Sequence, residues 1–115
     1  MVASQLKNNV VYIEIDGEFS GDDITAEMKK WIVDHNSDFI GYILDINKMT
    51  SHPALEQRKA EAYTRRQDTQ KPRAVIGRGE AGERFINTYI RFTKAEGIKF
   101  FYDQGEAESW LQAQA

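Results

Sequence analysis

Phe39-Ile40-Gly41-Tyr42-Ile43-Leu44-Asp45-Ile46 is a nearly continuous apolar run of strand length. A strand with one wet face alternates apolar and polar residues, whereas a strand covered on both faces has no need to. The run therefore predicts a central strand with other layers above and below it. Upstream, Val10-Val11-Tyr12-Ile13-Glu14-Ile15-Asp16 alternates with the period of a half-buried strand, ended by Gly17. Lys7-Asn8-Asn9 before it is turn chemistry, because asparagine tolerates the left-handed backbone of tight hairpins. Residues 2–6 are thus expected to form a short edge strand in an N-terminal hairpin.

Helices fill the intervals. Ser20-Gly-Asp-Asp23 fits a capping box, and Ile24, Met28, Trp31 and Ile32 share one stripe, with Asn36 as the stop. After the central strand, Asn47 to His52 reads as a loop and Pro53 to Gln67 as a polar helix with a thin stripe of Leu55, Ala62 and Tyr63. Arg73 to Gly77 is a short core strand. Glu83 to Ala95 is the most strongly patterned helix, through Phe85, Ile86, Tyr89, Ile90 and Phe92. Gly97 stops it, Ile98 to Tyr102 is a further strand, and Glu106 to Gln114 is a last helix burying Ala107, Trp110 and Leu111. Strand and helix alternate after the hairpin. The expected fold is α/β: a mostly parallel sheet of four to five strands, about four helices and right-handed crossovers.

With 115 residues, the chain has the size of one domain, residues 1–115. It is 41% hydrophobic and 29% charged, the mix of a soluble globule. It holds no cysteine, which excludes disulfides, thiol catalysis and Cys-ligated metals. No apolar run approaches the roughly 20 residues of a membrane span, and no export signal is visible, so the expected location is cytoplasmic.

Charge is unevenly spread. Residues 1–57 hold four Lys/Arg against ten Asp/Glu, and residues 58–94 hold ten against four. Such asymmetry fits either a partner-binding face or neighbouring helices with solvated faces of opposite sign. Nucleic acid is disfavoured, because the pI is about 5.4 and no basic stripe interleaves with aromatics.

Three motifs invite chemistry. Gly77-Arg-Gly-Glu-Ala-Gly82 matches a dinucleotide fingerprint, but Glu80 and Glu83 would face the pyrophosphate, and Ile86 stands where close packing wants a small residue. A strand-to-helix turn explains the glycines better, and no cofactor is expected. Asp16 to Glu27 has the oxygen spacing of an EF-hand loop, yet it follows a strand and the capping box accounts for the same residues. Thr50-Ser51-His52 precedes a helix, where Ser51 acts as a cap or where a phosphate on Ser51 or Thr50 would meet the helix dipole; the cap needs less. His35 and His52 lack a second ligand at metal spacing, so no metal is expected. Asp45 reads as a loop-capping acid at a strand end.

The order of these elements resembles the SpoIIAA-like fold, also called STAS, of anti-sigma factor antagonists. The resemblance spans about residues 8–112. It is carried by Val-Val-Tyr-Ile-Glu-Ile-Asp-Gly-Glu-Phe-Ser (10–20), Tyr-Ile-Leu-Asp-Ile (42–46), Arg-Ala-Val-Ile-Gly (73–77) and Phe-Phe-Tyr-Asp-Gln-Gly-Glu-Ala-Glu-Ser-Trp-Leu (100–111). It implies a small bacterial cytoplasmic module that binds a protein or an apolar, lipid-like ligand and catalyses nothing. The family's phosphorylated serine lies in Asp-Ser-Ser-Gly at the second helix. Here that region reads Thr50-Ser-His-Pro-Ala-Leu-Glu-Gln-Arg58, so Ser51 or Thr50 is an offset substitute.

The expected contact surface runs from Met49 to Arg66 with the turn from Arg78 to Arg84, beyond strand C-termini where ligands of open α/β sheets gather. Ser51, Arg58, Arg65, Arg66 and Arg78 are its candidate partner-binding residues. Phe85, Tyr89 and Phe92 form a broad aromatic stripe, a pattern more often core, but wide enough for an apolar pocket or a homodimer face.

Overall fold

The structure, a computed structural model, describes residues 1–67 and 70–114. Strand β1 (Val2–Lys7) turns into β2 (Val10–Glu18) through Asn8 and Asn9, both in the left-handed region at φ 52° and 59°. Two consecutive left-handed residues make the turn whose twist matches antiparallel strands, and the hairpin pairs in register from Val2↔Ile15 to Lys7↔Val10. Helix α1 (Gly21–His35) follows, with Ser20 Oγ accepting from the Asp23 amide at 3.2 Å and Asn36 as its C-cap. The Ser20 cap thus starts a helix directly off a strand, which leaves no calcium loop between Asp16 and Glu27.

Strand β3 (Gly41–Ser51), α2 (Ala54–Arg65), β4 (Arg73–Ile76), α3 (Gly79–Thr93), β5 (Ile98–Phe101) and α4 (Gln104–Gln114) complete the chain. The sheet order is β1-β2-β3-β4-β5, antiparallel at the hairpin and parallel elsewhere. When each parallel strand is laid down beside the last in one direction, crossovers of one hand put their helices on one face. Residues of α1, α2 and α3 accordingly join one core cluster, with Val11, Ile13, Ile15, Leu44 and Val75 from the sheet. Helix α4 packs Ala107 and Leu111 on the opposite face, against Val10, Ile43, Ala74 and Ile76. Both faces of β3 are covered from Gly41 to Leu44, as its unbroken apolar run requires.

Several boundaries and one helix face differ from the sequence reading. Residues 47–51 are strand, not loop: register shifts between Glu14 and Asp16 and between Gly17 and Glu18 of β2 let β3 continue to Ser51, which pairs with Glu18. Asn47 looks like a loop residue because it bulges there, its amide and side-chain nitrogen both donating to Asp45 Oδ1 at 2.9 Å. For the same reason Gly17 does not end β2. Helix α3 begins at Gly79, four residues early, since Gly79 at φ 72° turns the chain straight out of extended Arg78. In α2 the buried residues are Gln57, Ala60, Glu61 and Thr64, whereas Leu55 is 62% exposed and Ala62 faces water. That face is polar because a buried guanidinium lies beneath it.

Candidate functional site

A cleft of about 290 Å³ opens at the C-terminal ends of β3 and β4, between the start of α2 and the start of α3. Its wall is built from Thr50 and His52 on one side and Gly77, Arg78, Ala81 and Gly82 on the other, over Ile46 and Phe85. The glycines are explained by packing. A methyl group at Gly77 or Gly82 would lie 3.1 or 3.2 Å from the Phe100 ring, so small residues let α3 and β4 close on that side chain. His52 stacks on Phe85 with ring centroids 4.4 Å apart. The first turn of α3 leaves amides without intrahelical partners at the cleft wall, and Arg78 supplies no side-chain cap for them.

The two candidate hydroxyls part company. Thr50 is exposed and lines the cleft. Ser51 points the other way, its Oγ donating to Glu18 Oε1 at 3.2 Å while its carbonyl accepts from the Phe19 amide at 2.7 Å. Ser51 is therefore not the cap of α2. That position is Pro53, and no side chain caps the helix; Gln57 Nε2 instead donates to the His52 carbonyl at 2.6 Å.

The arginines divide as well. Arg58 lies on the outward side of α2, its guanidinium 4.6 Å from the Phe92 ring. Arg66 and Arg78 are exposed and form no ion pair among the described residues. Arg65 is half in water but engaged: its Nη2 donates to the carbonyls of Thr93 and, at 2.9 Å, Lys94, the open C-terminal end of α3. Lys94 there is left-handed at φ 57°, and a cation on those carbonyls complements the helix dipole.

The aromatic stripe also divides. Phe85 and Tyr89 are buried and border a core cavity of about 20 Å³, while Phe92 is 41% exposed and lies outside it. A cavity of that size has room for about one water molecule.

Sequence reasoning missed a buried polar cluster. Arg73 and Glu61 pair at 2.7 and 3.3 Å, Tyr89 donates to the same Glu61 Oε1 at 2.9 Å, and Arg73 Nη2 reaches the Glu96 carbonyl at 2.9 Å. Burial, and then the Glu61 charge, push the Tyr89 phenol well above its ordinary pKa. The available signal was a lone arginine opening an apolar strand, which cannot be buried without a carboxylate. Among the described residues no group of three or more His, Asp or Glu is placed to hold a metal. Nor is any described helix long and apolar enough to cross a membrane.

No family model and no curated protein matches the sequence. Solved structures do match. An anti-sigma factor antagonist from Mycobacterium paratuberculosis superposes with a TM-score of 0.72 at 11% identity, over 97% of this chain and 93% of that one. An uncharacterised DUF3478 protein with a SpoIIAA-like fold from Shewanella loihica PV-4 gives 0.67 at 18% identity, over 96% and 92%. The anti-sigma factor antagonist SpoIIAA in its unphosphorylated form gives 0.56 at 11%, over 100% and 99%. The fold is SpoIIAA-like. The cleft and the start of α2 lie beyond the C-terminal strand ends, where open α/β sheets bind their ligands.

Proposed function

We propose that this SpoIIAA-like chain is a non-enzymatic regulatory module whose contact face is the outer side of α2 with the adjoining cleft, and that it takes an acidic protein partner. The observation that carries the reading is the placement of Arg58, Arg66 and Arg78. All three are exposed and without ion-pair partners among the described residues, Arg58 stands over the Phe92 ring, and Phe92 and Leu55 are large apolar side chains left in water. Arginine and aromatic side chains beside a partly apolar patch are what protein interfaces concentrate. Structural kinship with anti-sigma factor antagonists, which are regulatory proteins, supports the same class.

Thr50 is the better modification site of the two hydroxyls. A phosphate on it would stand in the cleft beside Arg78 and the α3 amides, whereas one on Ser51 would meet the Glu18 carboxylate. Carriage of an apolar ligand is disfavoured, because the cavity beneath α3 is water-sized. A cytoplasmic setting fits this role.

Affinity capture from cells of the source organism, compared between wild type and Arg58→Glu/Arg66→Glu, tests the proposal. The expected result is one acidic protein captured by wild type, lost in the charge-reversed variant and retained by a Lys29→Glu/Lys30→Glu control on α1. Equal capture by all three baits refutes this face. Arg65 is left intact because its replacement would also uncap α3.

A further inference from the structure

We infer that α2 is a releasable cover, held on the rest of the molecule by a polar latch centred on Glu61. The other helices attach through apolar side chains: α1 buries Ile24 and Met28, α3 buries Phe85, Ile86 and Tyr89, and α4 buries Ala107 and Leu111. The buried face of α2 is Gln57, Ala60, Glu61 and Thr64, in which Ala60 is the one apolar residue; half-buried Tyr63 adds part of a ring at its edge.

The side-chain ties from α2 to neighbouring elements are polar. Glu56 accepts from the Gly21 amide of α1 at 2.9 Å, Glu61 holds Arg73 of β4 and Tyr89 of α3, and Arg65 reaches the last carbonyls of α3. Two considerations make such an attachment weak relative to the core. Hydrophobic stabilisation scales with apolar area removed from water, and the apolar side chains that α2 itself sends into the core are Ala60 and part of Tyr63. A buried ion pair largely offsets its Coulombic gain by desolvation, and here Arg73 Nε is buried with no partner among the described residues even when the pair is formed.

When α2 lifts, Glu61, Arg73 and Tyr89 regain water together, and Arg73 keeps its bond to the Glu96 carbonyl on its own side. The sheet, α1 and α3 retain the cluster of Val11, Ile13, Leu44, Val75, Phe85 and Ile86. Opening is therefore a sub-global event that leaves the remaining core assembled. It needs no partner, so it stands or falls separately from the docking face.

Native-state hydrogen exchange of the free wild-type protein, followed by NMR across sub-denaturing urea, tests it. The amides of residues 58–64 should share one opening free energy with a shallow urea dependence. Their protection should lie at least about tenfold below that of Val11–Ile15 and Tyr42–Leu44. The inference is overturned if those amides follow the strand isotherm, or if protection grades inward from the helix ends without a common value, which is fraying. No substitution is involved, so a misfolded variant cannot confuse the outcome.

Discussion

Arg73 on β4 and Glu61 on α2 form a two-point ion pair at 2.7 and 3.3 Å with side chains only 3% and 5% exposed. Replacing one partner strands the other. Glu61→Ala should cost about 3–5 kcal/mol, since it leaves an uncompensated buried guanidinium. Tyr89→Phe removes only the phenol donor and should cost about 1 kcal/mol. Urea unfolding of both variants checks the ratio; equal losses would show that the guanidinium is not the group at stake.

Alkaline pH should unfold the protein through its tyrosines. Burial raises Tyr42 and Tyr89, and burial followed by the Glu108 hydrogen bond raises Tyr12 to about 12. A group whose pKa is higher folded than unfolded holds its proton longer in the native state. The stability it contributes is intact below about pH 10, the free phenol value, and declines as pH rises through the folded value. Urea midpoints should fall steadily above pH 10, with the tyrosinate absorbance of the buried Tyr42 and Tyr89, as distinct from that of exposed Tyr102, appearing together with unfolding. Full tyrosine ionisation while the far-UV signal stays native would contradict this.

The approach of α1 to α2 leaves no room for a side chain at Gly21. A methyl group there would lie 2.4 Å from the Glu56 carbonyl oxygen and 2.7 Å from Lys59 Cβ. Gly21→Ala should therefore destabilise by at least about 1–3 kcal/mol, the range of overpacked sites, although Ala is the better helix former. Thermal unfolding measures it. A variant as stable as wild type would mean that the two helices separate without cost.

Much of this architecture could be read beforehand, and the exceptions share a cause. Asn8 and Asn9, Ser20 and the run from Tyr42 to Leu44 declare themselves because local backbone chemistry or two-sided burial fixes them. Residues 47–51 look like loop because their strand rests on backbone pairing with β2, which side chains do not report. The buried side of α2 escapes periodicity, which counts apolar residues, because Glu61 and Thr64 go inside to meet Arg73 and the core cavity. At the site, the exposure of Thr50, Arg58, Arg66 and Arg78 follows from their polarity. The partners of Ser51 and Arg65 were not legible, since Glu18 and the Thr93 and Lys94 carbonyls are distant in sequence.

The Asn8–Asn9 turn should respond to substitution according to backbone angle. Asn9→Gly relieves the left-handed strain at φ 59° and should leave stability unchanged or slightly raised. Asn9→Val forces a β-branched residue into that region and should cost about 1–2 kcal/mol. Equal stability of the two variants, measured by urea unfolding, would mean that the hairpin does not depend on this turn.

Docking is tested most directly by an amide-exchange footprint of the protein in complex with its captured partner. Protection is expected on residues 49–66 and 78–84, with the β1–β2 hairpin and α4 unchanged. A footprint on the hairpin or on α4, with the outer side of α2 still exchanging freely, would contradict the assignment.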